Sequence, residues 1–170
     1  MKKSILLFSI LVLGLNTWSQ DISSTLDSII TYSFSSLTDS TLSVKTAYSY
    51  DSDGNRTLYA WYNWDSNLND WVGDYKYEYS YDADGNQTLE IGYNWDSNLN
   101  DWVGNYKLEY SYDADGNRTL VARYDWDSNL NDWVGMFKWE DSYDADGNPT
   151  LGIGYNWDSN LNDWVIDSKH

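Results

Sequence analysis

The chain repeats one sequence unit every 31 residues, and this repeat constrains its fold more than any other feature. The nonapeptide WDSNLNDWV occurs four times without change, starting at Trp64, Trp95, Trp126 and Trp157. A second motif, YDxDGN, opens each unit and divides the array into copies 50–80, 81–111, 112–142 and a partial copy, 143–170. A fixed period of this length is typical of architectures in which each unit is one supersecondary element that packs on its neighbours.

Within each unit, apolar and polar residues alternate with a period of two, which predicts β-strands. From Trp71 to Tyr81 the odd positions are aromatic or Gly, and the even positions include Lys76 and Glu78, which are expected to form exposed charge pairs on a polar face. Gly-Asn and Asn-rich segments between the strands supply turn residues. The predicted fold class is all-β. Tandem antiparallel β-hairpin repeats with a 31-residue period would form a β-meander, a rolled sheet or a solenoid-like coil.

The first 49 residues differ from the array. Residues 1–19 combine Lys2 and Lys3 with a short apolar run and small residues near Ser19, as in a cleaved signal peptide, and an uncleaved anchor is the alternative. Residues 20–49 share spaced Lys and Tyr positions with the units and are interpreted as a degenerate N-terminal capping repeat ahead of the array 50–170. The expected location is extracellular or at the cell surface, or periplasmic if no downstream sorting signal exists.

Composition excludes several classes of function. The formal net charge is −17, and removal of Lys2 and Lys3 with the signal would make it −19, which disfavours binding to nucleic acid or anionic lipid. Cysteine is absent and the only histidine is His170, so neither a zinc site nor a Ser–His pair is expected. Carboxylates occur mainly in repeated turns, without one asymmetric cluster, and we therefore expect no enzymatic activity.

The repeated loop carries oxygen-bearing side chains at alternate positions, a pattern that suits weak Ca²⁺ binding because Ca²⁺ takes six to eight oxygen ligands. The alternative is that Asp and Asn form Asx-turns that satisfy the loop backbone. The candidate calcium ligands are Asp65, Asn67, Asn69, Asp70, Asp96, Asn98, Asn100, Asp101, Asp127, Asn129, Asn131, Asp132, Asp158, Asn160, Asn162 and Asp163.

Aromatic residues suggest both a core and a binding surface. The set Leu89, Ile91, Tyr93 and Trp95 mixes aromatic with aliphatic residues and is expected to face a buried core. Tyr59 and Trp61 fall on the opposite face of their strand and are candidate ligand-binding residues for carbohydrate. Their counterparts in the later copies are Glu90 and Gly92, Val121 and Arg123, and Gly152 and Gly154. This variation is consistent both with ligand recognition and with neutral drift on a solvated face.

The YDxDGN motif followed by a strand resembles the YD repeats of RHS and teneurin-type proteins. More closely, the whole unit over 50–165 resembles tandem-repeat proteins secreted by bacteria with type IX secretion. This resemblance implies an extracellular or cell-surface protein without known catalytic activity.

The sequence therefore predicts an exported, acidic, non-catalytic binding or adhesion module. Its expected partners are a polysaccharide or a surface protein. Self-association through sheet edges is a further expectation. The alternative is a purely structural spacer or a truncated fragment of a larger secreted repeat protein.

Overall fold

A computed structural model describes the backbone of residues 28–34 and 42–170, with side chains from Val44 onward. The predicted signal peptide and half of the predicted capping repeat, residues 20–27 and 35–41, lie outside these residues. In the described ranges no helix is long and apolar enough to cross a membrane. The described strands are β1 Ser28–Phe34, β2 Leu42–Tyr50, β3 Arg56–Asp65, β4 Asp70–Tyr81, β5 Gln87–Asp96, β6 Asp101–Tyr112, β7 Arg118–Asp127, β8 Asp132–Tyr143, β9 Pro149–Asp158 and β10 Asp163–Lys169.

The strands form one sheet in which spatial order follows chain order from β1 to β10. Neighbouring strands run antiparallel, as in the register that places Lys138 opposite Tyr155 and Glu140 opposite Ile153. The all-β fold class and the hairpin meander predicted from the sequence are therefore confirmed. The described residues divide into two compact units, one comprising those up to Tyr77 with Trp95–Asp101, the other Glu78–Asn94 with Trp102–His170.

The YDxDGN motif forms one of the two turns of each repeat. In the second copy, Asp82 N–H donates to Asn86 O over 3.0 Å, and Gly85 N–H donates to Asp82 O over 3.2 Å. Gly85 has a φ of 85°, a left-handed conformation that glycine adopts without steric cost. The turn residues predicted from the sequence thus occupy the turn.

The strict alternation predicted for the long strands is wrong at one position of β8. In the β7–β8 ladder, Tyr124 lies opposite Gly135 and Arg123 lies opposite Phe137, so Met136 is an extra, unpaired residue. Such a bulge switches the faces occupied by the side chains that follow it. Trp133 and Gly135 therefore share a face with Lys138, and Phe137 lies on the other face.

This bulge also corrects the predicted core. We call the face that carries Lys138, Glu140, Ile153 and Tyr155 the lysine face, and the opposite face, with Tyr59, Trp61 and their counterparts, the variable face. Aromatic residues lie on both faces, so no single aromatic core exists in the described part of the chain. There the only buried hydrophobic residues are Ala60 and Ala122, each 1% exposed, and no large side chain is fully buried.

Candidate binding surfaces

The sequence candidates Tyr59 and Trp61 lie in a cluster of five rings on the variable face of the first unit, which we call the aromatic platform. Trp61 stacks on Tyr75 with ring centroids 6.0 Å apart and an interplanar angle of 8°. Tyr59 stacks on Tyr77 at 6.2 Å and 5°. Tyr48, opposite Tyr59 in the register, adds a tilted ring at 5.2 Å. All five side chains are half-buried, so their remaining ring surface is open to solvent.

Polar groups fix the rings of the platform. The hydroxyl oxygens of Tyr59 and Tyr75 lie 3.5 Å apart, and the Arg56 guanidinium carbon lies 5.6 Å from the Tyr59 ring centroid. Burial and then the hydrogen bond with Tyr75 raise the pKa of Tyr59 well above its usual range. Tyr59 therefore stays neutral, and the Arg56 guanidinium supplies a cation over the Tyr59 ring.

Sequence reasoning identified two of the five platform rings and missed Tyr48, Tyr75 and Tyr77. Strict alternation from Trp71 predicts that Tyr75 and Tyr77 share the face of Trp71, whereas their rings stack on Trp61 and Tyr59. Asp74 occupies the position of Met136 in its copy, and a residue skipped there would have placed both tyrosines beside Tyr59 and Trp61. Because Asp74 also fits the polar half of the simple alternation, the sequence of this strand gives no signal of a skipped residue.

The variable face differs in the second unit. The Tyr106 ring lies over Gly92, where a Cβ atom would be 2.8 Å from Tyr106 Cε1, and its hydroxyl donates to Glu90. In the next copy the Arg123 guanidinium lies 5.4 Å from the Tyr106 ring centroid, and its Nε donates to Asp125 over 2.9 Å. The surface at these positions is thus acidic in one copy and cationic in the next.

The last copy replaces the rings with glycines. Trp139 covers Gly154, where a Cβ atom would lie 2.6 Å from Trp139 Cζ3. The His170 ring stacks on the Trp139 ring, with centroids 5.9 Å apart. Among the predicted binding positions, only Tyr59 and Trp61 themselves carry aromatic side chains.

The charge pairs predicted on an exposed polar face instead pack against tyrosine rings on the lysine face. Lys138 Nζ lies 2.9 Å from Glu140 Oε1 and 4.1 Å from the Tyr155 ring centroid. The Tyr155 hydroxyl donates to Glu140 Oε2 over 2.8 Å. The same arrangement recurs at Lys107, with Nζ 2.7 Å from Glu109 and 4.2 Å from the Tyr124 ring centroid.

The charged residues and tyrosines of the lysine face perturb one another's pKa values. The hydrogen bond from Lys138, followed by that from Tyr155, holds the pKa of Glu140 below its usual value. Burial, followed by the negative charge of Glu78, raises the pKa of Tyr93 to about 12. Burial lowers the pKa of Lys45, which lies 4.0 Å above the Tyr62 ring, and the charge of Asp70 acts in the opposite direction. The groups are stable cross-strand packing contacts.

Two tryptophans flank the WDSNLNDWV loop, and their rings are in contact at the first, third and fourth loops. Trp64 with Trp71, Trp126 with Trp133, and Trp157 with Trp164 are edge-to-face pairs with centroids 5.0–5.2 Å apart. In the second unit each pair covers a glycine of the preceding copy. A Cβ atom on Gly104 would lie 2.9 Å from Trp133, and one on Gly135 would lie 2.6 Å from Trp157.

The candidate calcium loops are Asx-turns in the structure. Asp65 Oδ1 accepts hydrogen bonds from the N–H groups of Asn67 and Leu68 over 2.7 and 3.2 Å. The loops starting at Asp96, Asp127 and Asp158 repeat both bonds. The fifth loop residue is left-handed in every copy, with a φ of 52° at Asn69, Asn100, Asn131 and Asn162.

Three of the four aspartates that end the loops have an equally local role. Asp70, Asp132 and Asp163 each accept a 2.7 Å hydrogen bond from the N–H group of the following tryptophan. In the described part of the chain no group of three or more His, Cys, Asp or Glu side chains is placed to hold a metal ion. The turn alternative therefore accounts for the loop chemistry that the structure shows, and calcium binding remains a prediction for experiment.

An open groove of about 340 Å³ lies beside the third loop of the array, in the second unit. Its lining includes Asp125, Asp127, Val134 and Met136. Asp125 pairs with Arg123, and Asp127 accepts the two N–H groups of its own turn. Both carboxylates thus have structural partners within their own copy.

Comparisons with known proteins give no family for the chain. No protein-family model matches it, and no curated protein matches it. Among solved structures, a protein of unknown function from Bacteroides fragilis is similar at 17% identity, with a TM-score of 0.47 over 83% of this chain and 90% of that one.

Two further similar structures are DUF3836 family proteins. The one from Parabacteroides distasonis has 15% identity and a TM-score of 0.44, over 57% of this chain and 87% of that one. The one from Bacteroides vulgatus has 17% identity and a TM-score of 0.35, over 63% of this chain and 90% of that one. Structural similarity at this level does not indicate the function of this chain.

Proposed function

We propose that the protein is an exported, non-catalytic binding module that holds a neutral polysaccharide on its aromatic platform. The observation that carries this proposal is the grouping of Tyr59, Trp61, Tyr75 and Tyr77 as two stacked pairs on one face, all half-buried. Rings held in fixed orientation with one open surface suit the apolar C–H face of a sugar ring, since both partners lose little conformational freedom on contact.

Charge narrows the class of ligand. A formal net charge of −17 opposes the approach of a polyanion, so a neutral polysaccharide fits the surface better than a uronic-acid polymer or nucleic acid. The Arg56 guanidinium lies over the Tyr59 ring and adds a cationic group to the platform. A surface protein bearing such glycans would bind in the same way.

Export is proposed from residues 1–19, whose basic start, apolar run and small residues match a signal peptide. The resemblance of residues 50–165 to the repeats of type IX-secreted proteins and to YD repeats points in the same direction. We place the mature chain, starting at Gln20, outside the cell or at its surface, or in the periplasm if no downstream sorting signal exists.

The second candidate is a structural spacer, or a fragment of a larger secreted repeat protein. It is favoured by the variable face of the other copies, where Gly92 and Gly154 take the place of Trp61. In that case the repeated turns and tryptophan pairs would serve only to build the sheet, and the aromatic platform would have no ligand.

The test exchanges residues between copies. The double variant Tyr59→Val with Trp61→Arg places on the platform the residues that the third copy carries at 121 and 123, so the strand keeps side chains that this fold already accommodates. Protein exported from cells, with its start at Gln20 checked by mass, is run in native gels containing neutral soluble glucans, xylans or mannans. We expect wild-type protein to be retarded by at least one of them, and the double variant to bind roughly tenfold more weakly or not at all.

The matched control is Leu161→Ala, which removes an apolar side chain that is 68% exposed on a loop of the second unit. It should bind as the wild type does. Equal retardation of the wild type and the double variant would place the binding site elsewhere. No retardation by any polysaccharide would leave the spacer as the better interpretation.

A further inference from the structure

Consecutive copies in the second unit are joined by one repeated contact, in which a tryptophan pair covers a glycine. Gly135 lies under Trp157 and Trp164 of the following hairpin, and an added Cβ atom would come within 2.6–2.9 Å of both rings. Gly104 lies in the same way under Trp126 and Trp133. Neither glycine has a positive φ, so the contact with the rings, and not the backbone conformation, requires glycine there.

Two further residues complete the surface that receives the pair. Trp164 meets the Tyr124 ring edge-to-face at 5.8 Å, and Lys138 Nζ lies 5.8 Å from the Trp164 ring centroid. Tyr124, Gly135 and Lys138 therefore form what we call the acceptor for the next tryptophan pair. In the first unit, Lys45 Nζ lies 5.4 Å from the Trp71 ring centroid, which is the same lysine–tryptophan contact.

The last hairpin, β9 with β10, carries this acceptor with one change. Tyr155 and Lys169 stand 31 residues after Tyr124 and Lys138, but Ile166 stands where the preceding copies have Gly73, Gly104 and Gly135. Ile166 lies opposite Tyr155 in the β9–β10 ladder, as Gly135 lies opposite Tyr124 in the β7–β8 ladder. Its side chain is 61% exposed, and no described residue covers it with a tryptophan pair.

The pKa values of the acceptor tyrosines also differ between the covered copies and the last one. Burial is the main cause of the raised pKa of Tyr62, Tyr93 and Tyr124, whereas the hydrogen bond to Glu140 is the main cause at Tyr155. Tyr155 keeps the polar partners of its counterparts and lacks the covering rings.

We propose that Ile166 prevents a further tryptophan-pair hairpin from packing on the lysine face of β10. At Gly135 a single Cβ atom already comes too close to the rings, and an isoleucine adds three more carbons at the same place. The excluded partner is a hairpin of this chain's own type, whether it is covalently attached or belongs to a second copy. An edge strand that cannot accept another repeat limits growth of the sheet in repeat register.

The test extends the array by one hairpin. Residues 139–165 are repeated directly after Lys169, which continues the 31-residue register and supplies a fifth tryptophan pair. The extended chain is made with Ile166 and as Ile166→Gly. With glycine we expect the added hairpin to dock, so that its cleavage by a low protease concentration becomes roughly tenfold slower and its amides gain protection from hydrogen exchange. With isoleucine the added hairpin should be cleaved as an unprotected segment.

The control is Val165→Gly in the extended chain. This variant also removes a branched apolar side chain, but from the neighbour of Ile166 that lies on the variable face. It should leave the added hairpin unprotected. Protection of the added hairpin in the presence of Ile166 would overturn the proposal. Absence of protection both in the chain with Ile166 and in its Ile166→Gly variant would overturn it equally, since glycine would then not decide docking.

Discussion

At the scale of single residues, one repeat position requires glycine in the third copy and accepts isoleucine in the fourth. Gly135 is glycine because Trp157 and Trp164 lie against it, and Ile166 is tolerated one repeat later because nothing of that kind covers it among the described residues. Glycine weakens a strand by itself, since it has no side chain to pack and loses more backbone entropy on folding. Its presence inside β8 is therefore explained by the rings above it.

This contact gives a stability prediction. Gly135→Ala should destabilise the protein by about 1–3 kcal/mol, because the new methyl group forces the tryptophan pair to move. Ile166→Ala, at the equivalent uncovered position, should cost less than about 1 kcal/mol, since most of that side chain is already in water. Urea unfolding followed by circular dichroism measures both. A Gly135→Ala variant as stable as the wild type would show that the pair accommodates a Cβ atom without cost.

At the scale of the element, the YDxDGN turn combines a left-handed glycine with a carboxylate that bonds three groups. Asp82 Oδ1 accepts the N–H groups of Asp84 and Asn86 over 3.0 and 2.8 Å, and Oδ2 accepts the Asn86 side-chain amide over 3.1 Å. The hydrogen bond from the Asn86 side chain, followed by the backbone bonds, lowers the pKa of Asp82 below its ordinary value. The turns of Asp113 and Asp144 share this arrangement.

A lowered carboxylate pKa makes these turns sensitive to acid. The unfolded chain binds the proton at a higher pH than the folded chain does. The stabilisation is therefore complete above the unfolded pKa of about 3.9 and is lost as the pH falls through the folded value. Asp82→Asn keeps an acceptor oxygen but no charge, so the stability of this variant should fall less steeply between about pH 5 and pH 2. Asp84→Asn is the control, since Asp84 enters the turn through its backbone N–H group. Equal slopes for the two variants would contradict the assignment.

The elements show where sequence reasoning succeeds and where it stops. Strand periodicity and the Gly-Asn turns predict the hairpins because both depend on local backbone geometry. The alternation of aromatic residues gives no sign of a skipped residue, so alternation counted from Trp71 puts Tyr75 and Tyr77 on the face opposite to the one where they stack on Trp61 and Tyr59. A one-residue shift in parity moves every later side chain to the other face, so the candidate site was found only in part.

At the scale of the whole molecule, the expected division into a wet face and a core face does not hold for the described residues. Their rings are half-buried on both faces, and their tightest positions are small residues such as Ala60 and Ala122. Packing of this kind depends on cross-strand partners, which the sequence of one strand does not reveal. The number of aromatic residues was visible from the sequence, and their distribution over two faces was not.

The last prediction concerns the response of the whole chain to calcium. If the four loops bind Ca²⁺ in the folded state only, each occupied site would add about 1.4 kcal/mol at a concentration ten times its Kd, and the melting temperature would rise accordingly. The structure gives the oxygens of Asp65, Asp96, Asp127 and Asp158 another role, since each accepts two backbone N–H groups. We therefore expect no rise that is specific to calcium.

Magnesium provides the comparison that this measurement needs. A chain with a formal net charge of −17 is stabilised by any divalent cation through reduced repulsion, so melting curves in equal concentrations of Ca²⁺ and Mg²⁺ separate screening from binding. Equal increases in melting temperature with the two ions, both reversed by chelator, would show that the loops act only as turns. A larger shift with Ca²⁺ that disappears in the Asp127→Asn and Asp158→Asn double variant would show that the loops bind calcium. The repeated nonapeptide would then be a metal site as well as a hairpin connection.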